Sequence, residues 1–485
     1  SELIIICTKL KRLDLRQIDT NTSDDEVITH AIKIKPGIAN LRVGVMRGWD
    51  IDEGMHLLNL TNVHICGDAV REWHVFSFEN MLRNSLRLRS IKITGLACNQ
   101  NWMDWFSRQC VLWKNLETVR LKFHMVIGDH HDQTLLIQAL SMCRHLKSVD
   151  LGGIRLGARE GLALGALFHN CKMLEKIRPG REFGRIALKN LSDVSWTAPG
   201  LVSLDLHSMN ITNDVSRGLG VFASRCSCLQ EVNLGGNNLM WKNAGILSSF
   251  RTLENLTIGF SGVNRSGFDA FRSYLARPNS PLTRLVVLEY GLMTDLDSLL
   301  GGATGLVDLS ISRSSTPTSV GKICVVPRIL FYFTRLRRLA LERMKGTVSV
   351  GGSSLTALRI YQVSKFSLTK HGTFNDIGSH VHLNNLEISY CNIRKTGVQD
   401  LGAFIHKLSS LTVLDLYGNC IGRARFLFGG VAPSLKVLKM NSNELQDEGA
   451  MDVALSIQCL TSIKARLFCT TIVLYLLGCS TPLSR

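Results

Sequence analysis

Residues Leu229-Gln-Glu-Val232-Asn-Leu234-Gly-Gly-Asn237-Asn-Leu239 and Leu411-Thr-Val-Leu414-Asp-Leu416-Tyr-Gly-Asn419-Cys-Ile421 follow one pattern. It runs L-x-x-L-x-L, with Asn at the ninth position and an apolar residue at the eleventh. The second and third apolar residues stand two apart, so they share one face of a short strand. A polar side chain turned inward at the ninth position satisfies backbone groups where the chain leaves that strand.

Working outward, the same pattern, with Ile, Val or Met replacing Leu, starts at Leu10, Met55, Leu88, Leu116, Leu146, Leu174, Leu201, Leu229, Leu253, Leu282, Leu306, Leu336, Leu355, Leu383, Leu411 and Leu435. A weaker copy starts at Leu460, and another fits Ile38, Leu41 and Val43. From Leu88 to Leu229 the steps are 28, 30, 28, 27 and 28 residues, a spacing that chance does not hold. The ninth position is Asn at Asn237, Asn419 and Asn443, and Cys at Cys391. A Gly often opens the next stretch (Gly161, Gly245, Gly267, Gly397, Gly449), and Gly157 to Phe168 has helical apolar spacing. Each unit therefore reads strand, turn, helix, strand. None buries its apolar face alone, so stacking makes one core.

These residues resemble leucine-rich repeats. The 27–30-residue spacing with a helix is similar to the ribonuclease-inhibitor-like subclass. The resemblance implies an α/β solenoid, a curved horseshoe with a parallel β-sheet on the concave side and helices and short turns on the convex side. It covers residues 1–466 in about 17–18 units, and residues 467–485 are left as an apolar tail.

Departures from the pattern mark irregular places near 179–200 and 312–352. Pro179 and Gly180 replace the last strand positions of the Leu174 unit, so that strand ends early. Arg181 to Gly200 follows no helical period. Steps of 24 (Leu229 to Leu253, Leu282 to Leu306, Leu411 to Leu435) leave room only for a tight turn or short 3₁₀ piece. The step of 19 from Leu336 to Leu355, with Gly351-Gly352, reads as strand–loop–strand, and Ser312 to Ser319 as a protruding loop.

Composition agrees with a packed fold. The chain has 485 residues, 45% hydrophobic and 20% charged, which excludes wholesale disorder. Its net charge of +17 favours acidic partners. The 14 cysteines form no CxxC pair and no dense framework, which points to a reducing, intracellular location, cytoplasmic or nuclear. Cys143, Cys171 and Cys226 each precede a repeat leucine by three, a position that suits a small buried side chain. The N-terminus has no signal-peptide pattern. It begins inside a unit and without Met, which points to a fragment or incomplete gene. The apolar run Leu467 to Leu477 is shorter than the roughly 20 residues of a membrane span. It reads as the last capping element, a non-native tail or a truncated anchor.

Motifs for chemistry are lacking. Thr316 stands where the first Gly of a phosphate loop ending in Gly321-Lys322 belongs, and there is no G-x-S-x-G or H-E-x-x-H. His130-His131-Asp132 near His124, and His380-Val-His382, read as polar loops rather than metal ligands. No catalytic residue, metal or cofactor is expected, and no small-molecule substrate is evident.

The strand positions facing away from the core remain. In successive parallel strands about 4.8 Å apart, equivalent side chains form columns. Lys92, Arg120 and Arg178 share one, interrupted by Asp150, with Lys122 and Lys176 beside it. Further along, Val286, Leu288, Tyr290, Tyr361 and Tyr417 are candidate apolar or aromatic anchors, the valine and leucine better read as local packing. The expected function is a non-catalytic scaffold that binds a protein partner with an acidic surface on the concave face. Resemblance to Ran GTPase-activating proteins implies an alternative in GTPase regulation, against which stand the net charge and apolar end. Repeats such as His169-Asn-Cys171-Lys-Met-Leu174 resemble those of F-box proteins, which implies substrate selection in a ubiquitin ligase, although no F-box-like module precedes Leu10. Nucleic acid and membrane partners are disfavoured, the former because no glycine–arginine segment or stacking motif is present.

Overall fold

The structure, a computed structural model, describes residues 11–15, 37–44, 59–67, 78–123, 125–127, 133–212, 216–237, 247, 249–259, 265–277, 279–288, 296–312, 333–344, 354–363, 382–393, 395–422, 427, 434–445 and 447–458. The chain divides into two units, Ser1–Asn237 with Ile246–Leu253, and Asn238–Gly245 with Glu254–Arg485. Each is a parallel α/β solenoid.

The strands of the first unit are β1 (Arg12–Leu15), β2 (Asn40–Gly44), β3 (Asn62–Cys66), β4 (Ser90–Thr94), β5 (Ala97–Asn99), β6 (Thr118–Lys122), β7 (Met125–Ile127), β8 (Ser148–Asp150), β9 (Lys176–Arg178), β10 (Ser203–Asp205) and β11 (Glu231–Leu234). All but β5 and β7 pair in chain order, parallel, in one open sheet. Strands form because apolar residues alternate with polar ones. Ile91 and Ile93, Val119 and Leu121 are fully buried, and their neighbours are partly or largely exposed. Each such burial stabilises by about 1.5–3 kcal/mol, and β-branched side chains suit the pleat. β5 and β7 form a separate parallel pair just after the turn, which the repeat pattern does not announce.

Helices cover the other side: Glu79–Arg83, Gln100–Leu112, Thr134–Ser141, Ala158–Asn170, Leu188–Asp193 and Ser216–Arg225. In Gln100–Leu112 the Asn99 side chain accepts the Trp102 N–H at 3.0 Å, capping the first turn. Its inward face stacks Trp102 on Phe106, centroids 4.8 Å apart, and sets Trp102 edge-on to Phe123. Buried Glu160 joins two neighbouring helix starts: one carboxylate oxygen accepts the Gly157 N–H and the other the Gln133 N–H, both at 2.9 Å.

One expectation needs correction. The copy placed at Met55 is shifted: strand β3 buries Val63 and Ile65 with Leu60, so the unit starts at Leu60. Leu60 fits both registers, and the β-branched pair after it takes the strand. Arg181 to Gly200, which follows the helical pattern poorly in the sequence, is built from two short helical pieces. A π-helical turn, Phe183–Ala187, leads into Leu188–Asp193. A wider turn moves the inward face around the axis, so a 3.6-residue period does not detect it. Trp196 then closes the segment, stacking on Phe168 at 4.7 Å and donating its indole N–H to the Leu191 carbonyl at 2.9 Å. β9 ends at Arg178, before Pro179, in the same register at which β8 and β10 end.

The second unit carries β12 (Asn255–Gly259), β13 (Arg284–Leu288), β14 (Asp308–Ser312), β15 (Arg338–Glu342), β16 (Ala357–Tyr361), β17 (Asn385–Ser389), β18 (Val413–Asp415) and β19 (Val437–Lys439), again parallel and paired in order. Its helices are Arg265–Leu275, Leu296–Leu300, Lys395–Ile405 and Asp447–Gln458. Among the described residues, the 24-residue step from Leu282 holds the short helix Leu296–Leu300, in keeping with the short spacing. Most of the loop 312–319, Gly351-Gly352, His124, His130 to Asp132, His380 and the tail 467–485 lie outside the described residues.

The turn after the strand has a repeated conformation. The eighth position of the repeat is left-handed at Ser208, Gly236, Arg343, Gln362, Tyr390, Gly418 and Ser442, and the tenth at Asn210, Asn392, Cys420 and Glu444. Between them the ninth side chain turns inward. Asn237 accepts the N–H groups of Met209 and Ile211, each at 3.0 Å, and donates to the carbonyls of Leu206 and Leu234 at 2.8 and 3.0 Å. Asn443 likewise accepts the Asn419 N–H and donates to Leu416 and Met440. Cys391 places its thiol toward the Ser389 carbonyl at 3.3 Å. Each of these residues satisfies the backbone of its own turn, and most also that of the preceding repeat.

Candidate binding face of the parallel strands

The sheet face opposite the helices carries the candidate residues. In the first unit the pairing aligns Asp14, Arg42, His64, Lys92, Arg120, Asp150, Arg178 and Asp205 in one row across the strands. Lys92, Arg120 and Arg178 do share a column. Lys176 stands in the row on one side, with Ser148 and Thr118, and Lys122 follows on the other.

Their electrostatics differ from a plain basic column. Arg120 Nε and Lys122 Nζ both reach Asp150 Oδ2, at 3.1 and 3.3 Å, and Asp150 also accepts the Gly152 N–H. Its carboxylate is only 11% exposed, so the interrupting acid is a clamp that holds two cations against the sheet. Arg178 Nε lies 3.7 Å from Asp205 Oδ2, and Arg42 Nη1 lies 3.5 Å from Asp14 Oδ2. Among the described residues, Arg12, Lys92 and Lys176 enter no ion pair. The uncompensated charge of this face thus sits mainly at its first strands, where an open groove of about 470 Å³ is lined by Arg12, Arg42, His64 and Lys92 among others. Arg12, Arg42 and His64 were not singled out in the sequence; the copy misplaced at Met55 hid His64, whereas Arg12 and Arg42 stand at outward positions of the copies at Leu10 and Ile38.

In the second unit, alternating charges cross the face. Asp308 binds Arg284 at 3.4 Å and Arg338 at 3.1 Å, Arg359 binds Glu387 at 3.0 Å, and Lys439 binds Asp415 at 3.2 Å. Val286 and Leu288 are half-buried in β13. Tyr290 lies outside the described residues. Tyr361 and Tyr417 do come together, through a third ring: Tyr390 is edge-on to both, at 5.4 and 5.0 Å. The Arg359 guanidinium sits 5.8 Å from the Tyr361 ring centre. Tyr390 occupies the eighth position with φ 55°, and Gly418 gives it room, since a Cβ there would meet its ring at 2.7 Å. A hydrogen bond to Tyr417 raises the Tyr390 phenol to about 12, and bonds with Ser442 and Tyr390 lower that of Tyr417. A Tyr one repeat before a Gly at the same position was the signal available in the sequence.

Among the described residues, no concentration of reactive groups accompanies this face. Burial pushes the thiols of Cys143, Cys171 and Cys226 up to about 12, and Cys143 and Cys171 direct their sulfurs at carbonyls such as Cys110 and Leu140. Among the described residues no three His, Cys, Asp or Glu side chains are grouped to hold a metal ion. No described helix is long and apolar enough to cross a membrane.

Residues 431–454 match the family model described as "Leucine Rich repeat". No curated protein matches the chain's sequence. Among solved structures, the chain is similar to a leucine-rich-repeat protein of Leptospira interrogans (12% identity, 96% of this chain and 97% of that one, TM-score 0.42). It is also similar to the internalin inlF of Listeria monocytogenes (14%, 94% and 98%, TM-score 0.34) and to TLR13 in a complex described as TLR13–ssRNA13 (15%, 90% and 65%, TM-score 0.44). Identities this low carry no function across.

Proposed function

We propose that this chain is a non-catalytic protein-interaction scaffold, and that the exposed face of its parallel strands holds the partner. Its units, strand plus helix at 27–30-residue spacing, fit the ribonuclease-inhibitor-like form of the repeat. One observation carries the reading. In-register strands set rows of solvent-facing side chains on a rigid support, with cations on the first unit and a three-tyrosine cluster on the second. Rigid aromatic and charged anchors suit interface hot spots because little side-chain freedom is lost on binding. A net charge of +17, and Lys92 and Lys176 standing outside any ion pair among the described residues, favour a partner with an acidic surface. Thiols used for packing (Cys143, Cys171, Cys226) fit a reducing, intracellular compartment.

Site-specific photo-cross-linking tests the reading. A photoreactive residue at Thr118 or Arg359, on the strand faces, should capture the partner. The same residue at Arg159 or Arg272, on the helices, should not. Cross-links from the helical positions alone would refute it.

A further inference from the structure

We infer that the groove over β1 to β4 is a docking site for an acidic, carboxylate-rich segment of the partner protein. The inference rests on the scaffold reading and locates its charged contact. Arg12, Arg42 and Lys92 line an open groove of about 470 Å³, with His64 between the last two and Asp14 the sole carboxylate among the described lining residues. Asp14 engages Arg42 at 3.5 Å, both groups about half exposed, so a pair this weakly held yields to an incoming carboxylate. Arg12 and Lys92 have no ion pair among the described residues. Between the cations Asn62 Nδ2 donates to Asn40 Oδ1 at 2.7 Å, which fixes a polar floor in place of the apolar lining common in small-molecule pockets.

Spacing selects the occupant. Arg42, His64 and Lys92 lie on successive strands, so Arg42 and Lys92 are separated by about two strand spacings, roughly 10 Å. Arg12 stands a strand further back. Cations carried on three separate strands suit carboxylates spaced along an extended chain, which can meet Arg12, Arg42 and Lys92 at separate points. The rest of the face offers less: Arg120 and Lys122 are committed to Asp150, and Arg178 faces Asp205.

Fluorescence anisotropy of a labelled glutamate-rich peptide with the full chain tests this. Binding should weaken steeply with salt, and Arg12→Glu or Lys92→Glu should each weaken it about fivefold. Lys176→Glu makes the same charge change on the same face but outside the groove, and should cost less than about twofold. Equal losses in all three variants, or no peptide binding, would overturn the groove. Tighter binding of a single-phosphoserine peptide with the same dependence on Arg12 and Lys92 would overturn the carboxylate assignment. Cross-links from Thr118 or Arg359 with no peptide binding would remove the groove and leave the scaffold standing. Peptide binding with partner cross-links only from the helices would do the reverse.

Discussion

Asn237 shows how much one side chain holds. Replacing it with Ala strands two N–H groups, of Met209 and Ile211, and two carbonyls, of Leu206 and Leu234, in a turn where Asn237 is 1% exposed. Each unsatisfied buried group costs about 1–3 kcal/mol, partly offset by relaxation and water. We expect Asn237→Ala to lower stability by about 3 kcal/mol, read from the shift of a urea midpoint. Asn237→Asp should lose about as much at neutral pH, because a carboxylate accepts the N–H groups but faces two carbonyls. A loss below about 0.5 kcal/mol would mean the turn holds without the side chain.

At the scale of an element, close packing sets what the helices tolerate. Gly161 lies in the helix Ala158–Asn170 against the π-helical turn, where an added Cβ would come within 2.4 Å of the Ala187 carbonyl oxygen. In isolation a helical Gly→Ala change gains about 0.5–1 kcal/mol. Here overpacking against backbone costs about 1–3 kcal/mol and wins, because Ala187 cannot rotate away as a side chain would. Gly161→Ala should therefore lower the thermal midpoint, and a raised midpoint would show that the π turn shifts freely.

Across the whole molecule, buried thiols couple stability to pH. Cys98, Cys143, Cys171 and Cys226 are pushed to about 12 by burial, against an ordinary value of 9.0. The unfolded chain loses these protons first, so the stability they contribute is complete below pH 9 and declines as pH rises from there toward 12. Urea midpoints should fall between about pH 8 and pH 10, and Cys143→Ala should fall less steeply over that interval. Equal slopes would assign the loss to other groups. On the proposed reading, rising salt weakens partner capture, since exposed charges such as Lys92 are screened at a distance of about 8 Å in physiological salt.

Much of the molecule was legible in the sequence because burial is periodic. The apolar pairs of L-x-x-L-x-L became buried strand faces, the ninth-position Asn and Cys became inward backbone partners, and the 24-residue step from Leu282 became a single-turn helix. Those features depend on local spacing alone. The π-helical turn, the β5–β7 pair and the shift from Met55 to Leu60 depend on which of two competing local fits packs better against its neighbour. The candidate face divides the same way. Alternation dictated that Lys92, Arg120 and Arg178 point outward, but only strand pairing decided that Asp150 and Asp205 neutralise part of that column and that Arg12, Arg42 and Lys92 surround one groove. Charge on a strand is a property of sequence, whereas its compensation depends on residues some 27–30 positions away that stacking brings within 4 Å.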